Sequence, residues 1–196
     1  MKNEHGITLI ELLATITIAV FVIGAIALTF SQVTLEWNSS ANQYQDDSAA
    51  RLTLDTYTKY LSGAVSVVYI QSGSGWTDLR LQLPKLNPDN TNVTKVFHYE
   101  NGTVTLYDFN AKDYRNAAPS LSDYSNGLQL ASNVISMPQY GMINQGTIQP
   151  LPVGSTVTSA LLSIDINFNY KQVGANGSVS FVPHRFNTNV KLLSFH

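Results

Sequence analysis

The chain contains no cysteine. That excludes disulfide bonds, thiolate metal sites and a cysteine nucleophile, and leaves the redox compartment open. Charge is scarce too. Asp, Glu, Lys and Arg together make up 12% of the residues, against roughly 25% in an average globular protein. Ser, Thr, Asn and Gln must make the surface polar instead, as is common in exported proteins. The 11 Lys and Arg residues form no basic run, and the formal net charge is -2. No surface is built to neutralise phosphates, so nucleic acid is not expected as a direct ligand. The chain also lacks H-x-x-x-H and H-E-x-x-H pairs, a G-x-S-x-G elbow and a P-loop. Those absences remove the signatures of zinc hydrolases, serine hydrolases and phosphate cradles. No proline precedes Pro84.

What is present is a long apolar run. From Ile7 to Phe30 there are 24 residues with a single charge, Glu11. As a helix this segment spans roughly 36 Å, enough to cross a hydrocarbon core of about 30 Å. A secretory signal would show a basic head and a small-residue cleavage site after the apolar core. Here the head, Met1 to Gly6, has Lys2 as its one Lys or Arg, and polar, helix-compatible sequence follows Phe30. The helix is therefore expected to continue out of the membrane. A carboxylate inside such a helix is costly, and tolerable where a cation meets it.

The stretch Gly6-Ile7-Thr8-Leu9-Ile10-Glu11-Leu12-Leu13 resembles the prepilin motif of type IV pilins and type II secretion pseudopilins. The resemblance implies cleavage between Gly6 and Ile7 by prepilin peptidase, and N-methylation of Ile7. Glu11 then becomes the fifth residue of the mature chain. In that family the glutamate pairs with the N-terminal amine of a neighbouring subunit, here the ammonium on Ile7 of another copy or another pilin. Two opposite charges attract strongly in a low dielectric, yet each is costly to bury alone. Such a pair fixes the register of otherwise interchangeable apolar helices. Ile7 stands where Phe is commonest in the family, and Gly24 is the single helix breaker in the run.

Beyond the run, Ala50, Leu54, Tyr57, Leu61 and Ala64 recur at intervals of three and four. They form an apolar stripe that predicts a helix continuing to about Leu61. Asp47 with Arg51, and Asp55 with Lys59, stand one turn apart and read as a solvated face. Gly63 is a stop signal. Strand-like segments follow at Ala64–Gln71 and Thr77–Leu83. Val96 to Phe109 reads as a hairpin turning at Asn101-Gly102. Its register pairs Tyr99 with Val104 and Phe97 with Leu106 on a buried face, leaving His98, Thr105 and Tyr107 on the other. Leu128–Met137 reads as a strand or a short helix. The segment SIDINFNYK places Ile164, Ile166, Phe168 and Tyr170 inward. Two strands, SVSFV and FNTNVKLL, close the chain around a turn at Pro183-His184-Arg185. The expected fold is α+β and pilin-like, a long N-terminal helix packed on an antiparallel β-sheet domain. Its parts are a leader at 1–6, a transmembrane and fibre-core helix at 7–30, an amphipathic continuation at 31–63 and an exported β-rich domain at 64–196. The order of the closing strands resembles larger minor pilins and J-type pseudopilins.

Candidate chemical sites are few. His5 falls in the leader, His98 on a hairpin face as a surface residue, His184 in the turn and His196 at the end. Gly73-Ser74-Gly75 is a lone turn. Asn87-Pro88-Asp89-Asn90-Thr91-Asn92 offers oxygens, but one Asp among Asn residues reads as a loop, since calcium needs about six to eight oxygen ligands. No metal, cofactor or enzymatic role is expected. Tyr114, Tyr124 and Tyr140 lie in long loops, where they either pack onto the core or stack on a partner.

The sequence thus reads as a structural subunit of a type IV pilus-like or type II secretion-like filament. Its partners would be other pilins or pseudopilins, prepilin peptidase, an inner-membrane assembly platform and membrane lipid. It would cross the inner membrane once, with its C-terminal domain outside the cytoplasm, and then enter a periplasmic or extracellular filament. The alternative is a pilus-borne binding module, an adhesin or a DNA-uptake competence pseudopilin. That module would use the loops from Ala111 to Gly127 and from Pro138 to Ser155.

Overall fold

A computed structural model describes residues 8–72, 75–84, 93–110, 113–115, 119–174 and 178–192. Among the described residues one α-helix, α1 (Leu9–Ser62), precedes ten strands, with a short 3-10 helix at Leu121–Asp123. With no proline inside α1, its backbone ladder runs unbroken for 54 residues. It stops where expected: after Ser62, the Ala64 N–H donates to the Leu61 carbonyl at 3.1 Å.

The chain divides into two compact units, residues 1–43 with 171–180, and residues 44–170 with 181–196. In the first, the apolar half of α1 leaves its side chains uncovered; Leu9, Phe21 and Phe30 are 80%, 75% and 74% exposed. Its hydroxyls turn back onto the helix. Thr17 donates to the Leu13 carbonyl at 2.8 Å and Thr29 to the Ala25 carbonyl at 2.9 Å. With backbone and hydroxyl groups satisfied internally, the helix is long and apolar enough to cross a membrane.

The second unit packs residues 44–62 of α1 on two sheets. One has the order β5-β4-β3-β2-β1-β8, the other β10-β9-β6-β7. In the first sheet β1 (Ser66–Ser72), β2 (Trp76–Leu83), β3 (Val93–Glu100), β4 (Thr103–Phe109) and β5 (Tyr124–Ala131) form an antiparallel meander, with β8 (Thr156–Val157) on the far side of β1. The second sheet holds β6 (Gln139–Asn144), β7 (Thr147–Pro150), β9 (Leu161–Val173) and β10 (Val179–Lys191). The apolar stripe of α1 meets them as expected: Ala50, Tyr57, Leu61 and Ala64 are buried, and Leu54 is half-buried. The Tyr57 ring stacks on Phe97 at 3.8 Å between centroids. The Asn101-Gly102 turn holds φ of 49° and 80°, as a type I′ hairpin requires. Tyr99 faces Val104, and Phe97 faces Leu106.

Several expectations fall differently. The stretch following Pro138, read as irregular, is the β6–β7 hairpin. Gln145 and Gly146 turn it with φ of 49° and 80°, so a glutamine fills the position usually held by Asn or Asp. The segment 128–137 is no single element. Its first residues belong to β5, which begins at Tyr124, and Val134 makes an isolated bridge to Phe168. The closing strands are one. β10 runs straight through Pro183 and His184, and β10 is an edge of its sheet, the place where strands admit proline. Residues 87–92 and Gly73-Ser74 lie outside the described residues.

Candidate functional site

The N-terminal site is built on the first turn of α1. Thr8 precedes the helix, and its Oγ1 accepts from the Glu11 N–H at 3.4 Å. Glu11 Oε2 reaches back and accepts from the Thr8 N–H and from Thr8 Oγ1, both at 2.9 Å. This reciprocal arrangement is a capping box, which satisfies donors that the helix start leaves unpaired. The Thr-x-x-Glu spacing ahead of an apolar run is its sequence signal, overlooked when Glu11 was read only as a partner for another subunit. Gly6 and Ile7, the expected processing residues, lie outside the described residues. The residues flanking Glu11 on the helix are exposed and apolar: Leu9, Ile10, Leu12 and Leu13.

Residues 1–29 match the family model for the prokaryotic N-terminal methylation motif. The chain carries the prepilin and pseudopilin signature. In general, proteins with this prepilin signature are processed by prepilin peptidase and assemble with other pilins. No curated protein and no solved structure matches the chain. The prepilin signature ends within the apolar half of α1, so the β-rich unit is read from its own geometry.

That unit contains a charge network absent from the sequence reading. Asp78 and Arg80, on β2, are both fully buried. Asp78 Oδ2 accepts from Arg80 Nε at 2.9 Å and Nη2 at 2.6 Å, and from Tyr124 Oη at 2.9 Å. Its Oδ1 lies 2.7 Å from His98 Nδ1. Arg80 Nη1 donates to the Tyr114 carbonyl at 3.0 Å, and the guanidinium lies 4.2 Å over the Phe109 ring. Burial and the Asp78 charge both push the Tyr124 phenol up, keeping it a neutral donor. The Tyr114 hydroxyl hydrogen-bonds the Ser66 and Thr156 side chains, so the 113–115 turn reaches the strands at the sheet's other side. Strand register puts Asp78 and Arg80 on the face of β2 that also carries Val96 and His98 of β3, and there Arg80 meets the chain returning after β4.

His98 is therefore not a simple surface residue. It is half-buried, orients on Asp78, and sits among Trp76, Tyr107 and Tyr124 with ring centroids 5.8, 6.0 and 5.1 Å away. His184 lies in β10, stacked on Tyr170 at 4.4 Å. Asp47 is not merely solvated, because it accepts from Tyr170 Oη at 2.7 Å. Tyr140 is a core residue of β6, its hydroxyl 2.9 Å from that of Tyr57. Among the described residues no three His, Asp or Glu side chains gather as a metal site.

Proposed function

We propose that this protein is a structural subunit, a minor pilin or pseudopilin, of a type IV pilus-like or type II secretion-like filament. The observation that carries this reading is the match of residues 1–29 to the methylation motif on a helix whose apolar side chains are uncovered. Prepilin peptidase cuts between Gly6 and Ile7 and Ile7 is methylated. The subunit waits as a single-pass inner-membrane protein with residues 64–196 outside the cytoplasm. It is then lifted by an assembly platform into a filament whose core is the bundled apolar helices. Glu11 pairs there with the N-terminal ammonium of a neighbour. An uncovered apolar helix needs either lipid or other helices around it, and a filament core supplies the second after the membrane supplies the first. No reaction occurs at the subunit's own residues.

Mass analysis of the mature N-terminus tests the reading. Expected is a chain starting at methylated Ile7 in wild type, and a chain keeping its six-residue head in Gly6→Asp. A full-length, unmethylated chain as the sole cellular form would overturn it.

A further inference from the structure

The outward face of the six-stranded sheet is closed in one half, where Arg80, Val96 and Phe109 are buried and Arg80 holds the Tyr114 carbonyl. Beside that half lies an open concavity of about 570 Å³. Its floor is aromatic: Trp76, His98, Tyr107 and Tyr124. Adjoining ring centroids are 5.1 to 6.0 Å apart. The rings meet tilted or edge-on, with 35° to 69° between planes, so no two of them present parallel faces to sandwich a cation. Polar groups of Glu100, Thr103, Thr105 and Gln129 stand around it. Strand register sets them in rows, with Glu100 opposite Thr103, and His98, Thr105 and Gln129 in line across β3, β4 and β5.

The charges select the ligand. Among the described residues no Lys or Arg lines the concavity, and the Arg80 guanidinium is engaged with Asp78. Glu100, more than half exposed, adds a negative charge at the rim. A phosphate, a sulfated or sialylated glycan, or a nucleic acid would meet repulsion without a compensating cation. Hydrogen-bonding groups are plentiful. His98 Nδ1 is taken by the Asp78 carboxylate at 2.7 Å, so Nε2 is the ring nitrogen left to meet a ligand. It lies 3.7 Å from Glu100 Oε2, so a ring nitrogen and a carboxylate stand side by side for adjacent hydroxyls, which can both donate and accept. Asp78 is itself held by Arg80 and Tyr124, so the imidazole is pre-oriented. A ligand with apolar C–H faces, many O–H groups and no charge fits this set. We propose that the Trp76–His98–Tyr107–Tyr124 face binds a neutral saccharide, stacked on the aromatic floor and hydrogen-bonded by His98, Glu100 and Gln129. The site sits on a sheet face, and Tyr124, Pro119 and Leu121 bring to it part of the Ala111–Gly127 stretch expected to carry binding. It is independent of the filament reading, because neither Gly6 nor Glu11 takes part.

The test uses the full chain in lipid nanodiscs, since alkyl-glycoside detergents present sugars of their own. Trp37→Phe leaves Trp76 as the one tryptophan, because the chain has two. Neutral trisaccharides built on glucose, galactose and N-acetylglucosamine are titrated against its fluorescence, with sialyllactose and single-stranded DNA as charged probes. A saturable change with at least one neutral sugar and none with the charged probes is expected. Glu100→Gln and Gln129→Ala, at exposed positions, should each weaken it roughly tenfold with unchanged thermal melting. Trp76→Ala, followed by calorimetry, should abolish binding. The proposal is overturned if no neutral sugar binds, if both rim variants bind as wild type does, or if a charged probe binds more tightly. Failure of filament assembly with intact sugar binding would count against the filament reading alone.

Discussion

His98 Nδ1 and Asp78 Oδ1 meet at 2.7 Å across a directly opposed pair of β3 and β2. The same carboxylate also serves Arg80 and Tyr124, so one buried anion organises three elements: the central strands, the 113–115 turn through Arg80, and the start of β5. The platform on the outward face therefore depends on a charge that no solvent reaches.

Breaking that network and replacing it should differ. Asp78→Asn leaves Arg80 buried without its counter-charge and should cost about 3–5 kcal/mol. Replacing both partners with apolar residues, Asp78→Leu with Arg80→Met, should recover a good part of that loss, because neither charge is then desolvated. Urea unfolding of the full chain in nanodiscs, followed by near-ultraviolet circular dichroism, measures both. A single variant within about 1 kcal/mol of wild type would show that the network contributes little.

The hydroxyl pair in the core gives a second expectation. Tyr57 and Tyr140 share one hydrogen bond at 2.9 Å, both buried. Burial pushes both phenols above the ordinary value of 10.0, and the hydrogen bond from Tyr140 opposes this only partly at Tyr57. Tyr140→Phe strands the Tyr57 hydroxyl and should cost about 1–3 kcal/mol, whereas the double phenylalanine variant should lie closer to wild type. The sign with pH follows from linkage. Unfolded tyrosines ionise near 10.0 while the buried ones stay protonated. Stability from this pair is thus complete below that pH and is lost as pH rises above it. The double variant should flatten the alkaline limb of a stability-against-pH curve.

Gly127 should not accept a side chain. A Cβ there would stand 2.4 Å from Tyr107 Cε1, and Tyr107 cannot swing freely because it packs edge-on against His98 and Tyr124. Asn126, with φ of 53°, adds an irregular step where β5 shifts register against β4. Gly127→Ala should destabilise by about 1–3 kcal/mol through overpacking, read by the shift in melting temperature. A neutral result would mean that the aromatic floor is looser than its contacts indicate.

The apolar helix, its stripe at Ala50, Tyr57 and Leu61, and the Asn101-Gly102 hairpin were legible because each rests on local periodicity or local turn chemistry. The second sheet was not, because its hairpin turns on Gln145-Gly146, a weaker signal than Asn-Gly, and because a proline inside β10 mimics a turn when edge position is unknown. The network at Asp78 was half legible. The hairpin register put His98 on the face away from the core, but which face a returning segment covers is a long-range fact that periodicity does not encode. The box formed by Thr8 and Glu11 was fully legible and was passed over, because the methylation motif already explained the same glutamate.

That double use of Glu11 can be separated. Glutamine at the third helical position still caps a helix but carries no charge, so Glu11→Gln keeps the box with Thr8 and loses the ion pair with a neighbouring N-terminus. Thr8→Val removes the hydroxyl part of the box while keeping the carboxylate and the bond it accepts from the residue-8 N–H. If Glu11 acts between subunits, Glu11→Gln should insert in the membrane and be processed normally yet fail to enter filaments. Thr8→Val should be incorporated at close to the wild-type level. Membrane fractionation, N-terminal mass analysis and quantification of the chain in sheared filaments separate the steps. If instead Thr8→Val were excluded and Glu11→Gln incorporated, the carboxylate would be acting as a helix cap, and register between subunits would have to come from the apolar side chains alone.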